Sequence, residues 1–166
     1  MGTTTNFYTF TVSGMEPSIV DLDFRLSILH SAVGDLDVVL ISPIGLSISM
    51  TAVASVGGVA NNFQDTYFDE EGGAGRIGSL GFDVAPFAGP EYGGVRYKPQ
   101  FASDTLTKFN GSNPNGIWTL RVEDSIDGDD GYVMWAGAIP LCWMIPSTTP
   151  SARLVKRGAP PPSARS

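Results

Sequence analysis

The sequence predicts an all-β fold, an antiparallel β-sandwich of about eight strands, on three observations. Short apolar–polar alternations recur between turns rich in Gly, Pro, Asn and Asp, the period-two signature of half-buried strands. No stretch of ten or more residues carries a 3.6-residue apolar period. Only 16% of the 166 residues are charged, with 20 Gly and 12 Pro, a balance that suits turn-rich β structure and not helix bundles. The length fits one domain, placed at residues 1–145, with a short tail at 146–166.

Tyr8, Phe10 and Val12 alternate in the first strand. In the second, Leu22, Phe24, Leu26 and Ile28 form a core face, while Asp21, Asp23, Arg25 and Ser27 form the face turned to water. After the turn Ser31 to Gly34, the run Asp35 to Ile41 is nearly apolar, as expected of a strand central in its sheet or covered on both faces. Pro43 and Gly45 then make a turn into Ser47 to Ala54, so the two strands should pair as a hairpin. From Gly57 to Pro99 the chain is Gly-rich and irregular, with scattered aromatics including Tyr92 and Tyr97; loops of that length are functional or pinned by something. Alternation returns from Ile117 to Glu123, and a last strand begins at Tyr132. Pro140 implies that this strand is short or lies at an edge.

The net charge of −7 conceals a split. Residues 1–145 hold six basic against 17 acidic side chains, a net −11; Arg153, Lys156, Arg157 and Arg165 give the tail +4. An acidic body repels phosphate backbones, which excludes nucleic acid as a partner and favours divalent cations. The tail is rich in Ser, Thr and Pro and is expected to be disordered. No signal peptide is visible at the amino terminus, and the most apolar run, Val133 to Ile145, is too short to span a bilayer.

The single cysteine, Cys142, and single histidine, His30, exclude an internal disulfide and a Cys/His zinc site. No Gly-x-Ser-x-Gly elbow accompanies His30, so this residue reads as a strand-end histidine bonded to the adjacent turn, not as a catalytic base. Calcium suits the acids better, because a hard cation takes six to eight oxygens from clustered carboxylates and turn carbonyls. Three clusters qualify: Asp35 and Asp37; Asp65, Asp69, Glu70 and Glu71; and Asp124, Asp127, Asp129 and Asp130. The candidate ligands are Asp35, Asp37, Asp69, Glu70, Asp124 and Asp129. The alternative reading of the same acids is as solvated turn formers. Asn110-Gly111-Ser112 fits a glycosylation sequon, and Lys156-Arg157 is a dibasic pair.

The order of motifs is more specific than any of these features. Residues 29–45, from Leu29-His30-Ser31 through Gly34-Asp35-Leu36-Asp37 to Ser42-Pro43-Ile44-Gly45, resemble the signature of the P domain (P/Homo B domain) of the kexin- and furin-like proprotein convertases and of bacterial secreted proteins. Asp65-Thr66-Tyr67-Phe68-Asp69 resembles the family's Asn-Thr-x-Phe-Asp, with Asp65 in place of Asn. Leu106 to Gly111 resembles its Leu-x-x-Phe-x-Gly, and Gly116 to Asp124 its Gly-x-Trp-x-Leu-x-Val-x-Asp. Gly131, Val133 and Trp135 resemble the closing strand.

That resemblance implies a jelly-roll-like, galactose-binding-like sandwich with Trp118 and Trp135 in the core. It further implies a noncatalytic, extracellular accessory module of subtilisin-like serine endopeptidases, associated with calcium, whose partner is a protease catalytic domain or another domain of a secreted protein. The alternative expectation is an extracellular carbohydrate- or protein-binding module, with Tyr92 and Tyr97 as a glycan platform.

Overall fold

A computed structural model describes residues 4–52, 62–77, 87–92, 94–126 and 131–142. Its strands are β1 (Thr4–Val12), β2 (Ile19–His30), β3 (Leu36–Ile41), β4 (Ser47–Thr51), β5 (Phe63–Phe68), β6 (Phe87–Ala88), β7 (Arg96–Tyr97), β8 (Gly116–Asp124) and β9 (Gly131–Cys142). One sheet runs β1-β8-β3-β4; the other runs β6-β5-β2-β9, with β7 also paired to β5. All pairings are antiparallel except those of β6 and β7 with β5. The two sheets enclose one core, and the sandwich expected from the alternation is what forms.

The core face of β2, with Leu22, Phe24, Leu26 and Ile28 all at most 2% exposed, packs with Val38 and Leu40 of β3 and with Trp118 and Leu120 of β8. Burying side chains of this size contributes about 1.5–3 kcal/mol each. Trp118 is fully buried because its one polar atom is satisfied: Nε1 donates to the Pro114 carbonyl at 2.8 Å. Its ring meets Phe109 edge-on at 5.2 Å. The chain enters β8 through Gly116, whose φ of 136° and close approach to the Pro43 ring leave no room for a side chain.

The hairpin of β3 and β4 forms as expected, with Leu40 opposite Ile48. Strand β3 is central in its sheet, between β8 and β4. It is not covered on both faces: Asp37, Val39 and Ile41 alternate as half-buried outer residues, so its apolar run reflects central position alone.

Two sequence expectations need correcting. Strand β5 lies within the span read as irregular, hidden because the chain bulges there: Asp65 has φ of 51°, and the register with β2 shifts between Leu26 and Ile28. Trp135 is not a core residue; it is 36% exposed, on the outer side of β9. Its neighbours Val133 and Ala136 take the inward positions. Strand β9 is an edge strand but not a short one, running 12 residues with Pro140 opposite Leu22. An edge tolerates proline because one side of the strand has no ladder to complete. The expected tail at 146–166 lies outside the described residues. No helix among the described residues is long and apolar enough to cross a membrane.

Candidate functional site

The sequence-predicted acids fall in three places. At one end of the sandwich, β2 terminates at His30, and Leu36 of β3 pairs in register with Asp124 of β8. The Ala32 N–H donates to His30 Nδ1 at 3.1 Å, which leaves the proton of the neutral ring on Nε2, 3.1 Å from Asp124 Oδ2. The His30 N–H donates to Asn62 Oδ1, and the ring packs against Gly131, where a Cβ would sit 2.4 Å from His30 Cδ2. His30 is thus the strand-end, turn-bonded histidine expected, with both ring nitrogens engaged. The Asp35 carbonyl accepts the Ser125 N–H at 3.1 Å, which draws Asp35 to the same end.

Asp37 lies elsewhere, on the outer face of β1-β8-β3-β4, where Arg121 donates to its Oδ2 at 2.7 Å. Asp69 and Glu70 follow β5 on the far sheet. Asp69 Oδ2 accepts from Arg96 at 2.8 Å and Oδ1 from the Glu71 N–H at 2.7 Å, whereas Glu70 Oε1 accepts the Leu106 N–H at 3.2 Å. Asp129 lies outside the described residues. Among the described residues, no three His, Cys, Asp or Glu side chains converge as a metal site would require.

The densest polar arrangement went unread in the sequence. On the outer face of β5-β2-β9, the Arg25 guanidinium lies between two aromatic rings, 5.3 Å from the Tyr67 centroid and 5.6 Å from that of Trp135. Arg96 covers Tyr67 at 4.3 Å. Arg25 pairs with buried Asp65 and, at 3.1 Å, with Glu91, while Tyr67 Oη donates to Asp23 Oδ2 at 2.7 Å. The result is a ladder of alternating rings and cations held by carboxylates. The available signal was the outward row Asp21, Asp23, Arg25, whose charges need partners on the neighbouring strand.

Titration follows this geometry. Burial pushes the Asp23 carboxyl up, and the Asp69 and Asp21 charges add to the shift, against the pull of the Tyr67 hydrogen bond. Burial also acts on Asp69, but the Arg96 and Glu71 hydrogen bonds outweigh it and hold this carboxyl below the usual range. Tyr67 is pushed up to about 12, first by burial and then by Asp23. Tyr97, expected as an exposed platform, is half-buried and meets Phe87 edge-on at 5.8 Å. The side chain of Tyr92 lies outside the described set.

No curated protein matches the chain. Among solved structures it is similar to a serine protease of Aeromonas sobria, with 15% identity and a TM-score of 0.37 over 85% of this chain and 24% of that one. It is also similar to the same organism's serine protease in complex with its chaperone, with 14% identity and a TM-score of 0.36 over the same shares. The chain therefore spans about a quarter of the length of these proteases. The family model described as the proprotein convertase P-domain matches residues 19–135, from the start of β2 to Trp135 in β9. That match takes in well over half of the chain, which belongs to the proprotein convertase P-domain family.

Proposed function

We propose that this P domain is a noncatalytic accessory module that packs beside a subtilisin-like serine endopeptidase domain outside the cell and stabilises it. The observation that carries this reading is the family match over 19–135. The engagement of both His30 nitrogens supports it, because a general base needs a free lone pair. The test is refolding of a subtilase catalytic domain that lacks its own P domain, with and without this chain. Greater recovery of peptidase activity with the chain is expected; equal recovery removes the accessory role.

We also propose that the module holds calcium. Asp37 and Asp69 fit an ion poorly, since each already carries an arginine. Asp124 is the one carboxylate among the described residues lining its cavity, too few oxygens for the ion. The remaining candidates are Asp35, whose carbonyl accepts the Ser125 N–H at the end of the sandwich, Glu70 after β5, and Asp129 in the segment that follows β8. A hard cation there would draw on carboxylate and turn carbonyl oxygens together. Calorimetric unfolding in calcium and in chelator tests this. A higher Tm in calcium, lost in Asp35→Asn, is expected; an unchanged Tm eliminates the ion.

A further inference from the structure

Strand β1 changes character halfway along. Its register with β8 is unbroken from Thr4 opposite Asp124 to Val12 opposite Gly116, so the strand is held in place over its whole length. Phe10 and Val12 fill the core, yet the inward positions continuing their alternation are Tyr8, Asn6 and Thr4, all exposed. Polar residues at core-facing positions of a well-paired strand break the pattern that builds a sandwich, and such breaks concentrate at functional sites. Here they leave a preformed cavity of about 120 Å³ between the free edges of β1 and β9.

The cavity has a defined chemistry. Its floor is apolar, made by Ile28, Leu36 and Val122. Its rim carries the side chains of Asn6, Tyr8 and Tyr132, which hydrogen-bond no described residue. One end is closed by Asp124 against His30. Because the neutral His30 ring donates only a hydrogen bond, and the Ile126 N–H at 3.3 Å does the same, nothing among the described residues neutralises the Asp124 charge. Among the described residues, no lysine or arginine lines the space.

We propose that this cavity binds a lysine side chain of a partner polypeptide segment lying across the edges of β1 and β9. The volume admits one long side chain, being smaller than the ~150 Å³ cavity that holds a benzene ring. An apolar floor takes the four methylenes, and a carboxylate at the end takes the ammonium. Arginine fits less well. Its guanidinium is bulkier than an ammonium and its fork must align with both carboxylate oxygens, on each of which His30 Nε2 or the Ile126 N–H already takes one of the two acceptor positions. A point charge with three rotatable donors has no such demand. Anions are repelled by Asp124, and a single carboxylate is too few for calcium.

The test uses the full chain labelled with ¹⁵N at pH 7 and three probes: Nα-acetyl-lysine N-methylamide, its ε-acetylated analogue and the corresponding arginine amide. The lysine probe is expected to shift the amides of Asn6, Tyr8 and Tyr132, and the ε-acetylated probe to bind at least tenfold more weakly, with arginine between them. Asp124→Asn, which keeps an acceptor for His30, should lose the same tenfold. Asn6→Leu should fill the space and abolish the shifts while the spectrum stays folded. Equal binding of the acetylated probe, shifts elsewhere, no shifts at all, or undiminished binding in Asn6→Leu overturns the proposal. So does a calcium titration that shifts these amides when the lysine probe does not, since the space would then be a metal site.

Discussion

The two outer faces of the sandwich are made from opposite materials. On the β1-β8-β3-β4 sheet the outward residues are mainly uncharged and β-branched: Thr9, Thr11, Ile117, Thr119, Val39 and Ile41, with Phe7 at 64% exposure and, among the described residues, one ion pair, Arg121 to Asp37. On the β5-β2-β9 sheet, Arg25, Arg96, Asp23, Asp65 and Asp69 are woven between Tyr67 and Trp135. Cross-strand contacts between side chains of the first kind depend little on pH or salt. The second face sinks carboxylates partly below the rings, so its stability is tied to their protonation. One molecule thus contains a face built mainly from uncharged side chains and a face whose stability responds to pH.

The sharpest way to break this comparison is to remove one arginine from each face. Arg25→Ala strands Asp65, which is 5% exposed, as an unpaired buried charge, so a loss of about 3–5 kcal/mol in urea denaturation is expected. Arg121→Ala opens a half-exposed pair and should lose about 1 kcal/mol or less. Equal losses would abolish the distinction.

Acid titration sharpens it further. Asp69 sits below its unfolded pKa, so its contribution is present above that value and fades as pH falls through the folded one. Asp23 is raised and has the opposite sign: its contribution is complete at low pH and is lost as pH climbs through the raised value. Asp69→Asn should therefore flatten the acid limb of a stability–pH curve. Asp23→Asn should raise the Tm at neutral pH and leave it unchanged below about pH 3. On the other face, Thr9→Val should move the whole curve without altering its shape. The smallest effect concerns the rings: Trp135→Ala should lose about 0.5–1 kcal/mol with the cation–π contact to Arg25, and Phe7→Ala less than about 0.5 kcal/mol. A larger loss for Phe7 would mean that the uncharged face does structural work of its own.

Period-two alternation was enough to read β2, β4 and β8 from the sequence, and a nearly apolar run to read β3, because each has one face in the core and a register that a one-residue slip would invert. It failed at β5, where Asp65 turns to positive φ and breaks the alternation, and at Trp135, where an aromatic residue serves a guanidinium outside the core. The colinear motifs still identified the family, since they mark turns and core positions together. The acids were legible as clusters but not as partners. Asp35 and Asp37 are two apart in sequence yet face different surroundings, because Asp35 closes the 3-10 turn Val33–Asp35 while Asp37 points outward from β3. Arginines 27 and 84 residues away, Arg96 and Arg121, settle what Asp69 and Asp37 do, and no local pattern announces them.

Pro140 has a consequence for how these molecules meet one another. A 12-residue strand with one neighbour offers a long row of unpaired backbone groups, the kind of edge along which a second chain can zip. A proline on an edge strand turns its missing donor toward solvent. A foreign strand growing along β9 from Gly131 therefore meets a gap before the strand ends, and the edge is a poor template for stacking one copy upon the next.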